Sequence, residues 1–348
     1  MNGIMDIIYV PFGYVLRFLN QICGGQYILT LLLFALVVKL VMLPFSIKQQ
    51  KNQIKGALLR PKMALIEKKY GGRNDQRTLE KKRMELMELQ QREGYSPLAG
   101  CLPLLIQFPI IIALYNIIRA PLTYIARFSE KLVAEIYNIC IDLGTISGDK
   151  LDAAGATFKQ IKNLNQYGMV DTIKSNPDAF SHLEGFTAEN LPNFEVLGGL
   201  MNLSETPSFK FASGANPWLL IIPLLTFIGS VVTMKLTRHY SGNLQAELAG
   251  QSQQNNASMK IMEWMMPLMS LWISFVVSSA LGLYWFYQSL FGLVQIVILN
   301  KIWPMPKITE EDIKAYEKSL KSKPKAQREI DPDAPKPRSL HHIDDDDE

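Results

Sequence analysis

Cysteine and histidine are both scarce, with 3 Cys and 4 His in 348 residues. That excludes a disulfide-built scaffold, and the scatter of these residues without ligand spacing argues against a zinc site. Charge is also thin: charged residues make up 20% of the chain against 48% hydrophobic ones. The mean hydropathy of +0.06 is high for a water-soluble chain, and such apolar content is incompatible with general disorder. The sequence contains no HExxH, no GxSxG, no P-loop and no paired acid within an apolar run. No enzymatic activity, no cofactor and no DNA partner is therefore expected.

What the chain does have is long apolar runs separated by charged segments. A bilayer span needs about 20 mostly apolar residues. Tyr27–Ile47, Leu98–Ile118 and Trp218–Leu236 each meet that length. A fourth run, Trp264–Trp303, is about twice as long as one crossing requires. It is expected to fold as two short helices broken at Ser278–Gly282, where a glycine ends a helix at low steric cost. The fold class is thus an all-α integral membrane protein, a five-span helical core with a helical hairpin. The expected divisions are an interfacial amphipathic helix over 1–25 and a first span over 26–48. A hairpin follows over 49–97, a second span over 98–120 and a long outer loop over 121–216. The third to fifth spans occupy 217–303, with a connecting loop over 237–262, and the tail over 304–348 is mostly disordered after a short helix. In the first of these, Ile8, Phe12, Val15 and Leu19 fall roughly on one helical face.

Charge sets the orientation. Residues 48–97 carry 13 Lys/Arg and 6 Asp/Glu, whereas 121–216 carry 7 and 11. Positive segments stay in the cytoplasm. The hairpin, the 237–262 loop and the C-terminus are therefore expected inside a cell membrane, with the N-terminus and the long loop outside. Helical spacing in the hairpin runs through Leu58, Met63 and Ile66, and then through Met84 and Met87. These methionines either hold the two helices together or offer an adaptable apolar surface to partners. Phe158, Phe180, Phe186, Phe194 and Phe209 indicate local packing in the outer loop.

One residue breaks the apolar pattern. Lys39 lies near the middle of the first run, about eight residues or roughly 12 Å from its inner end. A lysine there costs about 2.5–3.5 kcal/mol on insertion scales, and no Asp or Glu lies deep in any run to neutralise it. The residue must either face a hydrated cavity or snorkel toward the headgroups. Gln107, Thr226, Ser230, Thr233, Ser270, Ser274, Gln288, Ser289 and Gln295 are candidate co-liners, although Ser and Thr can instead bond their own helix. A cavity of this kind fits two functions. It can hold polar peptide segments while apolar helices enter lipid, or it can be the substrate site of a small-molecule or ion transporter. Repeat symmetry and intramembrane acid–base pairs, the usual transporter features, are absent from the sequence.

Four stretches in order, VVKLVMLPFSIKQQK (37–51), RPKMALIEKKYGG (60–72), SPLAGCLPLLIQFPIIIALYNII (96–118) and ALGLYWFYQSLFGLVQ (280–295), resemble the YidC family of membrane protein insertases. The resemblance covers about 26–122 and 217–303 and matches the shorter type without a large N-terminal outer domain. It implies a five-helix core and a groove open to cytoplasm and lipid but closed outward, with insertion and chaperoning that need no ATP. It places Lys39 where the family usually has an arginine, and Trp285 in the family-like LYW stretch. Lysine lacks the bidentate fork of arginine, so this departure bears on the groove chemistry. Gly229-Ser230 stand where some relatives carry a glutamine. The implied partners are nascent membrane proteins and the bilayer, with the ribosome, the signal recognition machinery and the Sec translocon as further candidates. Met63, Ile66, Met84 and Met87 are the implied hairpin contacts for substrate or partner. The 121–216 loop is longer than the resemblance explains.

Overall fold

A computed structural model describes residues 6–71, 75–96, 102–188, 191–210, 214–241 and 256–322. Among them the chain is overwhelmingly helical. Two compact units form, one of Met1–Gln53 with Ser96–Met305 and one of Ile54–Tyr95 with Pro306–Glu348.

The larger unit begins with α1 (Asp6–Ile22), followed by α2 (Tyr27–Leu58). Helix α2 continues ten residues beyond the end expected for the first span. The Lys/Gln-rich stretch after Ile47 consists largely of strong helix formers and contains no breaker until Gly56, so nothing stops propagation at the hydrophobic boundary. Helix α5 (Leu102–Arg119) covers most of the second apolar run; residues 97–101 lie outside the described residues. After the outer segment come α10 (Ile221–Ser241), α11 (Asn256–Ser274) and α12 (Ser279–Ile302). Most of the expected 237–262 loop, from 242 to 255, lies outside the described residues.

The last long run splits into two helices as expected, but the interruption covers 275–278, so only Ser278 of the expected Ser278–Gly282 break belongs to it. Gly282 ends no helix and instead lies in the first turn of α12. A Cβ at Gly282 would lie 2.8 Å from Ile222 Cγ2, so glycine permits α10 and α12 to approach. The break is set by Ser278, whose extended backbone (φ −59°, ψ 150°) starts α12.

Among the described residues three helices are long and apolar enough to cross a membrane, Tyr27–Leu58, Pro217–Ser241 and Ser279–Ile302, and Ile106–Arg119 is a shorter apolar helix. Their exposed faces are apolar. Leu29, Leu36 and Leu40 on α2, Leu224, Ile228 and Val232 on α10, Trp272 on α11, and Val294, Val297 and Ile298 on α12 all face outward. In water such faces would be a large aggregation liability; in hydrocarbon they cost nothing. The protein is therefore an all-α, multi-pass membrane protein.

The expected outer loop is a folded layer. It comprises α6 (Pro121–Tyr124), α7 (Glu130–Asp142), α8 (Phe158–Ile161), α9 (Gln166–Ser175) and a short antiparallel hairpin, β1 (Glu195–Val196) and β2 (Met201–Asn202). Phe180 and Phe194 are fully buried, Phe158 and Phe186 pack against the same core, and Phe209 is exposed but stacked on Phe275 at 5.1 Å. Gln166 is fully buried; its Oε1 accepts from the backbone N–H of Leu122 and Thr123, and its Nε2 donates to Thr123 Oγ1 and the Ile161 carbonyl. Helix α1 packs on α5 and α6 with Leu16 and Leu19 buried, while Tyr14, Phe18 and Ile22 face outward. It is thus apolar on two sides; the side chain of Ile8 lies outside the described residues.

The smaller unit contains α3 (Arg60–Tyr70) packed on α4 (Gln76–Arg92), and α13 (Glu310–Ser322) packed on α3. Asp75 caps α4 by accepting from the Thr78 N–H. Lys68 bonds both carboxylate oxygens of Glu317 at 2.8 Å, and Lys62 pairs with Glu93. The rest of the tail, from 323, lies outside the described residues.

Candidate functional site

The polar side chains inside the larger unit separate into distinct groups. The first is centred on Tyr284, which is buried on α12. Its hydroxyl accepts from Gln288 Nε2 at 3.0 Å and from Gln107 Nε2 at 3.4 Å. Gln288 Nε2 also reaches the Ala35 carbonyl at 3.3 Å. Helices α2, α5 and α12 are thereby joined by one polar tier. Both glutamines are conspicuous in the sequence and the tyrosine between them is not, because a phenol in the aromatic LYWFY run looks like ordinary core.

Lys39 lies one turn further along α2 than Ala35. Its ammonium is 3.5 Å from where a Cβ on Gly292 would be, and Gly292 lies one turn beyond Gln288 on α12. The two contacts advance together, so α2 and α12 run side by side in the same direction there. Among the described residues Lys39 is half-buried and makes no hydrogen bond or ion pair. A Cβ at Gly292 would stand in ordinary van der Waals contact with the ammonium, so the Lys39 side chain lies against α12 at this glycine, a neighbourhood no sequence pattern revealed.

Beyond Lys39 a third group lines a cavity of about 220 Å³. It is formed by Ser46, Gln49, Gln50 and Gln53 on α2, Thr237, Tyr240 and Ser241 on α10, and Gln295 and Asn300 on α12. Gln50 donates to Asn300 Oδ1 at 3.1 Å and to the Trp303 carbonyl at 3.0 Å. Of these residues only Gln295 stood out in the sequence. The others flank the hydrophobic boundary, where polar residues are unremarkable until α2 is seen to continue as a helix.

The hydroxyl residues behave differently. Thr226 and Ser274 bond each other at 2.9 Å across the α10–α11 seam. Each also bonds its own helix, Thr226 to the Pro223 carbonyl and Ser274 to the Ser270 carbonyl. Ser270 bonds the Met266 carbonyl, and all three are buried. Thr233 and Ser289 return their hydroxyls to Gly229 and Trp285. The Cβ of Ser289 would lie 3.2 Å from a Cβ on Gly229, so α10 and α12 are closely packed there. Ser230 and Trp285 are half-buried on α10 and α12. The structure thus joins Gln107 and Gln288 through Tyr284, leaves Lys39 one turn away beside Gly292, and places Thr226, Ser270 and Ser274 in a helix–helix seam.

The layer formed within residues 121–216 closes on the ends of the same helices. The Ser278 side chain accepts no capping hydrogen bond from α12. Instead the Ser279 N–H and hydroxyl donate to the Glu205 carbonyl at 2.8 and 2.7 Å, and the Ala280 N–H donates to the Leu203 carbonyl at 2.8 Å. These bonds satisfy orphan donors of the first turn. At the other root of the hairpin, Asn193 pairs with Gln26 in an isolated parallel bridge, with Asn193 N–H to the Gly25 carbonyl at 2.9 Å. The segment 193–205 therefore holds the starts of α2 and α12 together.

In the smaller unit, Met63 is buried between the hairpin helices and serves the hairpin's own packing. Ile66 and Met84 line a cleft of about 640 Å³ with Tyr70, Leu89, Lys81 and Tyr316. Met84 and Met87 are 61% and 56% exposed.

A profile of the family described as "60Kd inner membrane protein" matches residues 18–307. The chain belongs to that family. Among its relatives is a protein named membrane protein insertase YidC 2 from Bacillus anthracis, 25% identical over 300 residues, covering 86% of this chain and 82% of the relative. A shorter, closer match is membrane protein insertase YidC 1 from Halalkalibacterium halodurans, 38% identical over 118 residues, 34% of this chain and 46% of that protein. Membrane protein insertase MisCA from Bacillus subtilis is 36% identical over 108 residues, 31% of this chain and 41% of the relative. The last two alignments thus span less than half of those relatives.

Proposed function

We propose that this protein is a membrane protein insertase and chaperone with a five-span core of α2, α5, α10, α11 and α12. The N-terminus and the folded layer over 121–216 lie outside, and α3–α4 and the C-terminus lie in the cytoplasm. Polar ends of nascent membrane proteins enter the 220 Å³ cavity region from the cytoplasm and pass toward Lys39. Apolar segments leave along the exposed faces of the helices into lipid. No nucleotide is needed, because partition of the apolar segment supplies the driving force, and the polar lining lowers the cost of moving the polar end.

The observation that carries the reading is Lys39. Its ammonium has no carboxylate partner among the described residues and stands between a hydrogen-bonded tier and a polar cavity. An unpaired charge at that depth costs about 2.5–3.5 kcal/mol, a cost that water and a passing acidic segment would offset. The exposed Met84 and Met87 on α4 are the proposed contact for arriving chains.

Reconstitution of the pure protein in liposomes with a small single-span substrate tests this. Substrate should become protease-protected without ATP. Lys39→Arg should retain activity, and Lys39→Glu should slow insertion of substrates with acidic translocated ends by about tenfold, the effect of roughly 1.4 kcal/mol of lost attraction. Equal insertion by Lys39→Glu refutes the electrostatic role, and solute flux without insertion identifies a transporter.

A further inference from the structure

The β1–β2 hairpin has roots and a tip of opposite character. At the roots Val196, Met201 and Leu203 are buried in the outer layer. At the tip Leu197 is 70% exposed and Leu200 is 42% exposed, with only Gly198 and Gly199 between them. Leu197 takes φ 56°, a left-handed conformation that leucine rarely adopts, and Gly198 and Gly199 follow at 69° and 88°. A strained and solvent-facing leucine contributes nothing to the packing of the layer.

The tip is held against the start of a membrane helix. Asn216 Nδ2 donates to the Leu200 carbonyl at 2.7 Å, and β2 packs against the 3-10 turn Pro217–Leu220 that leads into α10. In that turn Trp218 is exposed. Trp218 continues the outward stripe Ile221, Leu224, Ile228 and Val232 back toward the end of the helix. That stripe is the lipid face of a candidate span, and tryptophan at its end marks the interfacial level. The tip therefore lies at the level where the bilayer begins.

We infer that Leu197 and Leu200 enter the interfacial region of the bilayer beside Trp218, anchoring the outer layer to lipid. The partner is the lipid surface itself, identified by the continuity of the apolar tip with the lipid-facing stripe. Penetration is shallow, because Glu195 is only two residues, roughly 7 Å of strand, behind Leu197 and its carboxylate stays in water. This inference stands on the hairpin and α10 alone and does not depend on the insertase reading.

The test uses an environment-sensitive fluorophore on Leu197→Cys in the full chain, with Cys23, Cys101 and Cys140 changed to Ala. The protein is reconstituted in phosphatidylcholine/phosphatidylglycerol vesicles. Lys150→Cys, on an exposed polar turn of the same layer, is the aqueous control. The Leu197→Cys probe should be quenched by a lipid spin-labelled near the headgroup at least about twofold more than the control, and shielded from aqueous iodide, as interfacial residues are. Leu200→Cys, which carries no left-handed backbone, should report the same and serves if the first variant fails to fold. Iodide quenching equal to the control would overturn the inference. So would protection from both quenchers, which would mean that protein, not lipid, covers the tip.

Discussion

Replacing Ser279 with proline should cut the outer clasp while sparing the helix it holds. Ser279 is the first residue of α12, the position where proline is best tolerated in a helix. Ser278 already has the extended backbone that must precede a proline, with φ −59° and ψ 150°. The change removes the N–H and the hydroxyl that both donate to the Glu205 carbonyl. Two such bonds are worth about 0.5–1.5 kcal/mol net each, or roughly 1–3 kcal/mol together. The stiffer unfolded chain offsets about 0.4–1 kcal/mol of that. The expected net loss of about 1–2 kcal/mol is a factor of roughly 5–30 in local opening. The reporter is the Ala280 amide, which is buried and donates to the Leu203 carbonyl at 2.8 Å. Its hydrogen exchange in nanodiscs, corrected for the intrinsic rate of the new sequence, should rise by that factor. Ser279→Ala, which keeps the N–H bond, should give a smaller rise. Exchange at Ala280 within about twofold of wild type in Ser279→Pro would show that these bonds do not hold the clasp.

Three further outcomes separate structural from functional polar groups. Thr226→Val should change stability by less than about 1.5 kcal/mol, since Ser274 keeps its bond to the Ser270 carbonyl, and insertion should be unchanged; a large loss of insertion by a folded variant would return Thr226 to the groove. Met84→Asp with Met87→Asp should leave α3–α4 packed, as both side chains are exposed, and should reduce nascent-chain crosslinking several-fold, whereas Met63→Asp should unfold the hairpin. In the 121–216 layer, burial pushes the Asp171 carboxyl up, and burial followed by the Asp171 charge does the same to Glu205. The folded state then holds more protons than the unfolded one between the ordinary Asp value of 3.8 and the raised folded value, so stability rises as pH falls through that window. Thermal melting in detergent should show this rise, and Asp171→Asn should flatten it.

Much of the helical layout was legible in the primary structure because it rests on local physics. Run length set the candidate spans, and charge density in 48–97 set the expected orientation. Lys39 was conspicuous because a charge in an apolar run is costly wherever the chain folds. The grouping of the polar residues was not legible, because a serine that bonds its own helix and one that lines a cavity have the same spacing. Tyr284 became a hub only when α2, α5 and α12 met around it, and only the fold set the Lys39 ammonium beside Gly292 of α12.

The chain by itself determined which segments must leave water and where an uncompensated charge would sit, since hydrophobic transfer and helix propensity act residue by residue. Only the tertiary structure decided that the long 121–216 segment is a packed layer, that its hairpin roots hold the starts of α2 and α12, and that Thr226 and Ser274 close a seam. Those outcomes depend on backbone carbonyls and hydroxyls far apart in sequence finding one another, and neither composition nor periodicity carries that information.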